Sequence, residues 1–297
     1  MKKILRMILR SVYLRPVLVA ITVLVAALSS EAQTRRAIVI GLGEQLDRSW
    51  GEIHGDRDVP LVAFMLKSAG FTDIKTLVNS QATKAAIVSS INSLISRSSK
   101  GDVVYIHFSG HGQRMTDLDG DEDDGWDEAW IPYDAFRKYC DRDRGDRHLS
   151  DDELSRYLTR LRGKVGVSGT IAVVVDACHS GDSTRDGEGW DSVVVRGVYD
   201  HFVIPGKPAV RRNAVAESWL TLSACKDYQL NEEYNKCGKL THIIVNNWRD
   251  YAGQSDQAIF SKIDRTMQSR MYKGRLGQNP DLTGAIGKVL SIIFQRK

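Results

Sequence analysis

The chain has 297 residues, 42% of them hydrophobic and 26% charged, with a formal net charge of +4 and four cysteines. All of that excess sits in the first 32 residues, where Lys2, Lys3, Arg6, Arg10 and Arg15 stand against Glu31 alone, so the remaining 265 are near neutral and offer no compositional basis for nucleic-acid binding. Four cysteines are too few for a disulfide scaffold, whereas 265 residues can bury a large α/β core.

Residues 1–32 read as a secretory signal: a basic start, an apolar stretch from Pro16 to Leu28, then Ser30-Glu31-Ala32. The apolar stretch falls short of the roughly 18 residues a membrane span needs, so export to the periplasm or medium is expected ahead of membrane anchoring. Residues 33–297 form the folded part. Arg36 to Gly41 predicts a first strand, and Asp58 to Gly70 a helix through Val59, Val62, Ala63 and Leu66. Ile74 to Val78 predicts a strand, and Thr83 to Arg97 a helix through Ile87, Ile91, Leu94 and Ile95.

Two β-branched runs follow. Val103 to Phe108 ends in Ser109-Gly110-His111-Gly112, and Thr170 to Val175 ends in Asp176-Ala177-Cys178-His179-Ser180-Gly181. Between them Ser150 and Glu153 form a capping-box signature for a helix start. Trp219 to Ala224 predicts another strand, Gly238 to Tyr251 and Asp256 to Tyr272 helices, and Ile286 to Phe294 a closing strand, with a helix left open for that last segment. The alternation predicts a mostly parallel sheet with helices on both faces. Gly112 to His148 and Ser180 to Glu217 show no clear period and read as functional loops. Cys225 and Cys237 are close enough in sequence to close a short loop, although pairing among Cys140, Cys225 and Cys237 cannot be deduced from spacing.

Residues just past the carboxyl ends of parallel strands line the ligand crevice. His111 and Cys178 are therefore candidates for a base and a thiolate nucleophile, the imidazole taking the thiol proton that otherwise masks the sulfur at neutral pH. Backbone N–H groups of Cys178 and Gly112 are candidates for an oxyanion hole. His179 is a poorer base, since adjacent residues at a strand end point apart.

The two motifs together resemble the signatures of the caspase-like cysteine peptidases, on the metacaspase branch with its Asp-x-Cys-His-Ser-Gly pattern. Ile53 to Asp58, Leu222 to Gln229 and Gly277 to Gly284 resemble further family segments, so the likeness covers nearly all of residues 36–295. It implies a caspase-like three-layer α/β/α sandwich with a large part near 36–184, a processing loop near 185–216 and a small part near 217–297. It also implies cleavage after Arg or Lys in protein or peptide substrates. By resemblance Asp176 is the main carboxylate of the S1 pocket, with Asp58 and Ser109 in support and Asp227 nearby. The family loop usually has one more residue before its Asp, which leaves Asp56 and Val59 open for the place given to Asp58.

Asp117 to Glu128 half-matches an EF-hand, but Glu122 stands where the required Gly would be, so an EF-hand is rejected. A solvated acidic loop is one reading. The resemblance implies another, Ca2+ as an activator held by Asp127, Asp151, Asp152 and Asp186, with Asp182 open for the last place. It also implies self-cleavage in the loop that carries Arg185, Arg196, Lys207, Arg211 and Arg212, with Arg211-Arg212 as the most exposed choice. The competing readings are a catalytically silent binding or scaffold protein on the same fold, a gingipain- or clostripain-like Arg/Lys peptidase, and a nucleotide-binding domain suggested by Gly41-Leu42-Gly43.

Overall fold

The computed structural model describes residues 33–178, 194–198, 200–206, 217–226, 229–269, 271–272 and 278–295. The first half forms β1 (Arg35–Gly41), α1 (Gly55–Ser68), β2 (Asp73–Val78), α2 (Lys84–Arg97), β3 (Val103–Ser109), β4 (Gly112–Thr116) and β5 (Trp126–Trp130). The second forms β6 (Leu149–Ser150), α3 (Asp151–Val165), β7 (Thr170–Asp176), β8 (Leu220–Ser223), α4 (Lys239–Asn247), α5 (Asp256–Met267), β9 (Asp281–Gly284) and α6 (Val289–Phe294).

Six strands form one sheet in the order β2-β1-β3-β7-β8-β9, all parallel except β9, which runs antiparallel to β8. Strands β3 and β7 are buried at every position, as unbroken apolar runs require when both faces are covered. Side chains alternate between faces. Val39, Tyr105 and Val174 meet α1, α4, α5 and α6, while Ile38, Ile106 and Val173 meet α2 and α3. The three-layer α/β/α arrangement expected from the sequence is thus present.

Helix starts follow local chemistry. Thr83 and Ser255 accept the N–H groups of Ala86 and Ala258, and Ser150 accepts that of Glu153 at 3.3 Å. Only half of the capping box forms, because the Glu153 carboxylate instead takes Lys84 at 2.6 Å and the Tyr157 hydroxyl at 3.1 Å.

Two expectations need correction, and the cysteine pairing left open by the sequence can be described. The closing segment is not a strand over 286–294: β9 lies earlier, and α6 buries Leu290, Ile293 and Phe294, whose spacing is helical. The Asp256 carboxylate fixes the start of α6 by accepting from Gly287, Val289 and Leu290 at 2.7–3.0 Å. The aperiodic stretch from Gly112 to His148 holds a small antiparallel sheet, β4-β5-β6 with its last strand just beyond, whose mixed burial hides it among acidic residues. Finally, no disulfide joins the cysteines. Cys237 donates to Asp58 at 2.6 Å and Cys225 points to the Ala177 carbonyl at 3.5 Å, so the two thiols serve separate places.

Residues 1–32, together with His179, Asp182, Arg185, Asp186, Lys207, Arg211, Arg212 and Asp227, lie outside the described residues. Among the described residues no helix is long and apolar enough to cross a membrane.

Candidate active site

The parallel pairing of β3 with β7 sets Ser109 opposite Asp176. His111 and Cys178 each follow two residues later, so both leave the sheet at its carboxyl edge, and the N–H of Gly110 reaches the carbonyl of Asp176 at 3.3 Å. His111 is fully buried beside Trp50, ring centroids 5.1 Å apart. Its Nε2 lies 2.7 Å from the Gly51 carbonyl, which can only accept, so Nε2 carries the proton and Nδ1 presents a lone pair. Nδ1 has no hydrogen-bond partner among the described residues. Burial holds this imidazole down at about 4, so it is neutral at physiological pH.

The Cys178 thiol is buried and donates to the carbonyl of Gln229 at 2.8 Å, while its backbone N–H donates to the carbonyl of Arg196 at 2.8 Å. Gly112 opens β4, opposite Trp130.

Below the strand ends lies an acidic pocket. Asp58 comes from the first turns of α1 and Asp176 from the end of β7, and both reach the N-terminus of α4. Asp58 accepts from the Gly238 N–H at 3.1 Å and the Ser109 hydroxyl at 2.5 Å. Asp176 accepts from the Thr241 N–H and hydroxyl, each at 2.7 Å, and from Asn231 at 2.7 Å. A helix N-terminus suits both carboxylates. Of the three residues left open at the loop, Asp58 is buried in this pocket, whereas Asp56 lies beside Gly43 and Val59 packs in the core.

The pocket holds a guanidinium from the same chain. Arg196 is fully buried, with its nitrogens 3.0 Å from Asp58, 3.0 Å from Glu233 and 3.8 Å from Asp176, and it hydrogen-bonds Ser109. Burial pushes the Asp58 carboxyl up despite the arginine. For Asp176 burial acts in the same sense but is outweighed by Arg196, Asn231 and Thr241, leaving that carboxyl below its ordinary value. Glu233 also takes His54 at 2.5 Å, tying the entry of α1 to the pocket.

Sequence reasoning missed Glu233, Asn231, Gln229 and Thr241. None has a motif spacing; Asn231 and Glu233 are placed by the pairing of residues 231–233 with 194–196, and Thr241 by the N-terminal turn of α4. Arg196 carried a signal only as one of several basic residues in a loop.

The acidic loop gathers carboxylates in three groups, each with ligand oxygens within 4.8 Å: Asp117, Asp119 and Asp121; Asp121, Asp127 and Asp152; Glu122, Glu128 and Asp151. Of the residues expected to share one cation, Asp127 and Asp152 meet, with Asp121 as an unforeseen third, and Asp151 joins a different group. The segment Asp117 to Glu128 joins strands β4 and β5 rather than two helices, and Asp117 accepts from the N–H groups of Asp119, Gly120 and Glu122. Burial, then neighbouring carboxylates, push Asp127 up to about 8, Asp151 to about 9 and Asp152 to about 7. Hard oxygen donors crowded this way fit Ca2+. The Gly41-Leu42-Gly43 fragment lacks the helix a dinucleotide fingerprint needs, because the next helix begins only at Gly55.

A parallel sheet with helices on both faces that delivers a His and a Cys to one edge above an acidic pocket is an arrangement of the caspase fold. Two crystal structures share the fold. A protein of Geobacter sulfurreducens matches with a TM-score of 0.61 and 22% identity over 85% of this chain and 94% of that one. Caspase-1 from Spodoptera frugiperda matches at 0.55 and 14% over 90% and 94%. The model of the metacaspase family, peptidase C14 domain, matches residues 35–185, and the chain belongs to that family.

Among curated relatives, metacaspase-1 of Coccidioides immitis is 38% identical over 112 residues, 38% of this chain and 22% of that protein. Metacaspase-1A of Aspergillus oryzae is 32% identical over 160 residues, 50% of this chain and 35% of that protein. The chain thus matches well under half the length of either.

Proposed function

We propose that this chain is an exported endopeptidase that cuts proteins or peptides after arginine or lysine, using Cys178 and His111. The observation that carries the reading is the guanidinium seated among Asp58, Asp176 and Glu233 beside the strand end that bears Cys178. A desolvated guanidinium requires carboxylate partners, and a pocket built this way rejects an acidic side chain.

In this reading the neutral His111 accepts the Cys178 proton at Nδ1, and the thiolate attacks the scissile carbonyl. The N–H groups of Cys178 and Gly112 receive the developing oxyanion, and water then releases the acyl group from the sulfur. Asp176, Asp58 and Ser109 select the basic residue; Asp227 keeps its place as a further candidate near the pocket. Asp121, Asp127 and Asp152 would hold Ca2+, which would neutralise their mutual repulsion and tie the acidic loop to the start of α3. Asp151, which groups with Glu122 and Glu128, and Asp186 remain further candidates for calcium. Residues 1–32 would direct export.

Hydrolysis of paired fluorogenic peptides ending in Arg or Asp, with and without calcium, tests the reading. Arg peptides should be cut, with at least ~10³-fold loss in Cys178→Ala. Cleavage after Asp overturns the pocket assignment, and turnover unaffected by Cys178→Ala overturns the nucleophile.

A further inference from the structure

The segment that supplies Arg196 lies in the cleft as a substrate strand would. Val195 bridges Glu232 in antiparallel fashion, the Glu233 N–H donates to the Val194 carbonyl at 3.0 Å, and the Arg196 N–H donates to the Asn231 carbonyl at 2.9 Å. An extended peptide recognised through its main chain makes such contacts when it adds a strand to an exposed edge.

Three further contacts centre on one peptide bond. The Arg196 side chain fills the acidic pocket. Its carbonyl oxygen receives the backbone N–H of Cys178 at 2.8 Å, the donor that polarises a carbonyl for attack at the same residue. Gly197 follows directly against the nucleophile: a β-carbon there would stand 2.9 Å from Cβ and 3.1 Å from Sγ of Cys178. Only a residue without a side chain passes the thiol at this distance.

We infer that Arg196 is an internal substrate residue and that the bond from Arg196 to Gly197 is the self-processing site. This rests on the peptidase reading above. While the bond is intact, Arg196 occupies the pocket that an incoming substrate needs, so the uncut chain is self-blocked. The Cys178 thiol, donating to Gln229 at 2.8 Å, marks the state before attack.

Cleavage requires the sulfur to leave Gln229 and pass its proton to His111 Nδ1. The sulfur then bonds to the Arg196 carbonyl carbon, and the carbon–nitrogen bond to Gly197 breaks. The proton on His111 goes to the Gly197 nitrogen, which becomes a new N-terminus. Water adds to the thioester, its hydroxyl completing the Arg196 carboxylic acid and its remaining proton restoring the thiol. Being tethered, the reaction is unimolecular and independent of protein concentration.

The test compares the full chain as wild type, Cys178→Ala, Arg196→Lys and Arg196→Gln. Intact-mass measurement and sequencing of new N-termini are run alongside hydrolysis of an Arg-ended peptide, with circular dichroism to verify folding. A new N-terminus at Gly197 is expected in wild type and Arg196→Lys, and its complete loss in Cys178→Ala and Arg196→Gln. Should Arg196→Gln fail to fold, the Arg196→Lys product alone carries the reading, since lysine keeps the charge in the pocket. Peptide hydrolysis by a chain that stays joined at 196–197, or is cut only elsewhere, overturns the inference and leaves the peptidase reading intact. An intact chain that also hydrolyses no peptide removes both.

Discussion

Asp58 and Asp176 come from different elements yet converge on the N-terminus of α4, Asp58 through Gly238 at 3.1 Å and Asp176 through Thr241 at 2.7 Å. Their acidities are pushed in opposite directions: Asp176 is held below its ordinary range, whereas burial pushes Asp58 up, so Asp176 gives up its proton the more readily of the two.

Asp176→Asn should therefore lower kcat/KM for Arg peptides by about 10²-fold, on the scale of one lost charge-assisted hydrogen bond. Asp58→Asn should cost about tenfold or less. Most of each effect should appear in KM. A larger loss for Asp58→Asn than for Asp176→Asn would reverse this ranking.

Gly197→Ala should loosen residues 194–198, because the added carbon would stand 2.7 Å from the Cys178 carbonyl oxygen and 3.1 Å from its sulfur. Alkylation of Cys178 by iodoacetamide, slow while the thiol is buried, should speed up by about tenfold or more, the equivalent of ~1.4 kcal/mol in docking. An unchanged rate would mean that the segment does not shield the thiol.

His107 and His111 are both held at about 4 by burial. Below about 6.5 the unfolded chain takes up protons that the native rings refuse, so stability falls as pH drops from about 6.5 towards 4. Each ring contributes on the order of 3 kcal/mol over that window. The loop carboxylates titrate in the opposite sense, so the reading is a difference: the Tm of His107→Gln should fall less than that of wild type between pH 7 and 4.5. Parallel curves would show that His107 titrates normally.

For Asp127, Asp151 and Asp152, raised to about 8, 9 and 7, the sign is opposite. The native chain keeps protons that the unfolded chain releases, so without a cation stability falls as pH rises from about 4 towards 9. Calcium should therefore raise Tm more at pH 8.5 than at pH 6. The gain is about 5–10 °C at a hundred times Kd, the stabilisation there being ~2.7 kcal/mol. Asp127→Asn should abolish most of it, as differential scanning fluorimetry would report; an equal gain in that variant would place the ion elsewhere.

The central fold was legible because β1, β3 and β7 are apolar on both faces and end abruptly in glycine or reactive residues. His111 and Cys178 were legible for the same reason, and Asp176 through its place two residues before the cysteine. Glu233 and Asn231 were not, since their position depends on pairing with Val194 to Arg196, a contact between distant segments without periodicity. Helix α6 was misread because a short apolar run fits either a strand or a helix, and what decides it is a cap from Asp256, far away in sequence. The β4-β5-β6 sheet hid behind charge: Arg114 and Glu128 alternate with buried Met115 and Ala129, a pattern diluted by the acidic turn between them.

The register of β3 against β7 has an evolutionary consequence. Because Ser109 faces Asp176 and each reactive residue stands two positions further on, the mutual placement of imidazole and sulfur is inherited from the sheet's own ladder. Surrounding loops can lengthen, shorten or be exchanged without moving one group relative to the other. Insertion of a single residue within either strand would instead shift one partner to the opposite face. New preferences are thus free to arise around the cleft, while the chemistry stays locked to a pair of strands whose register a change in length would break.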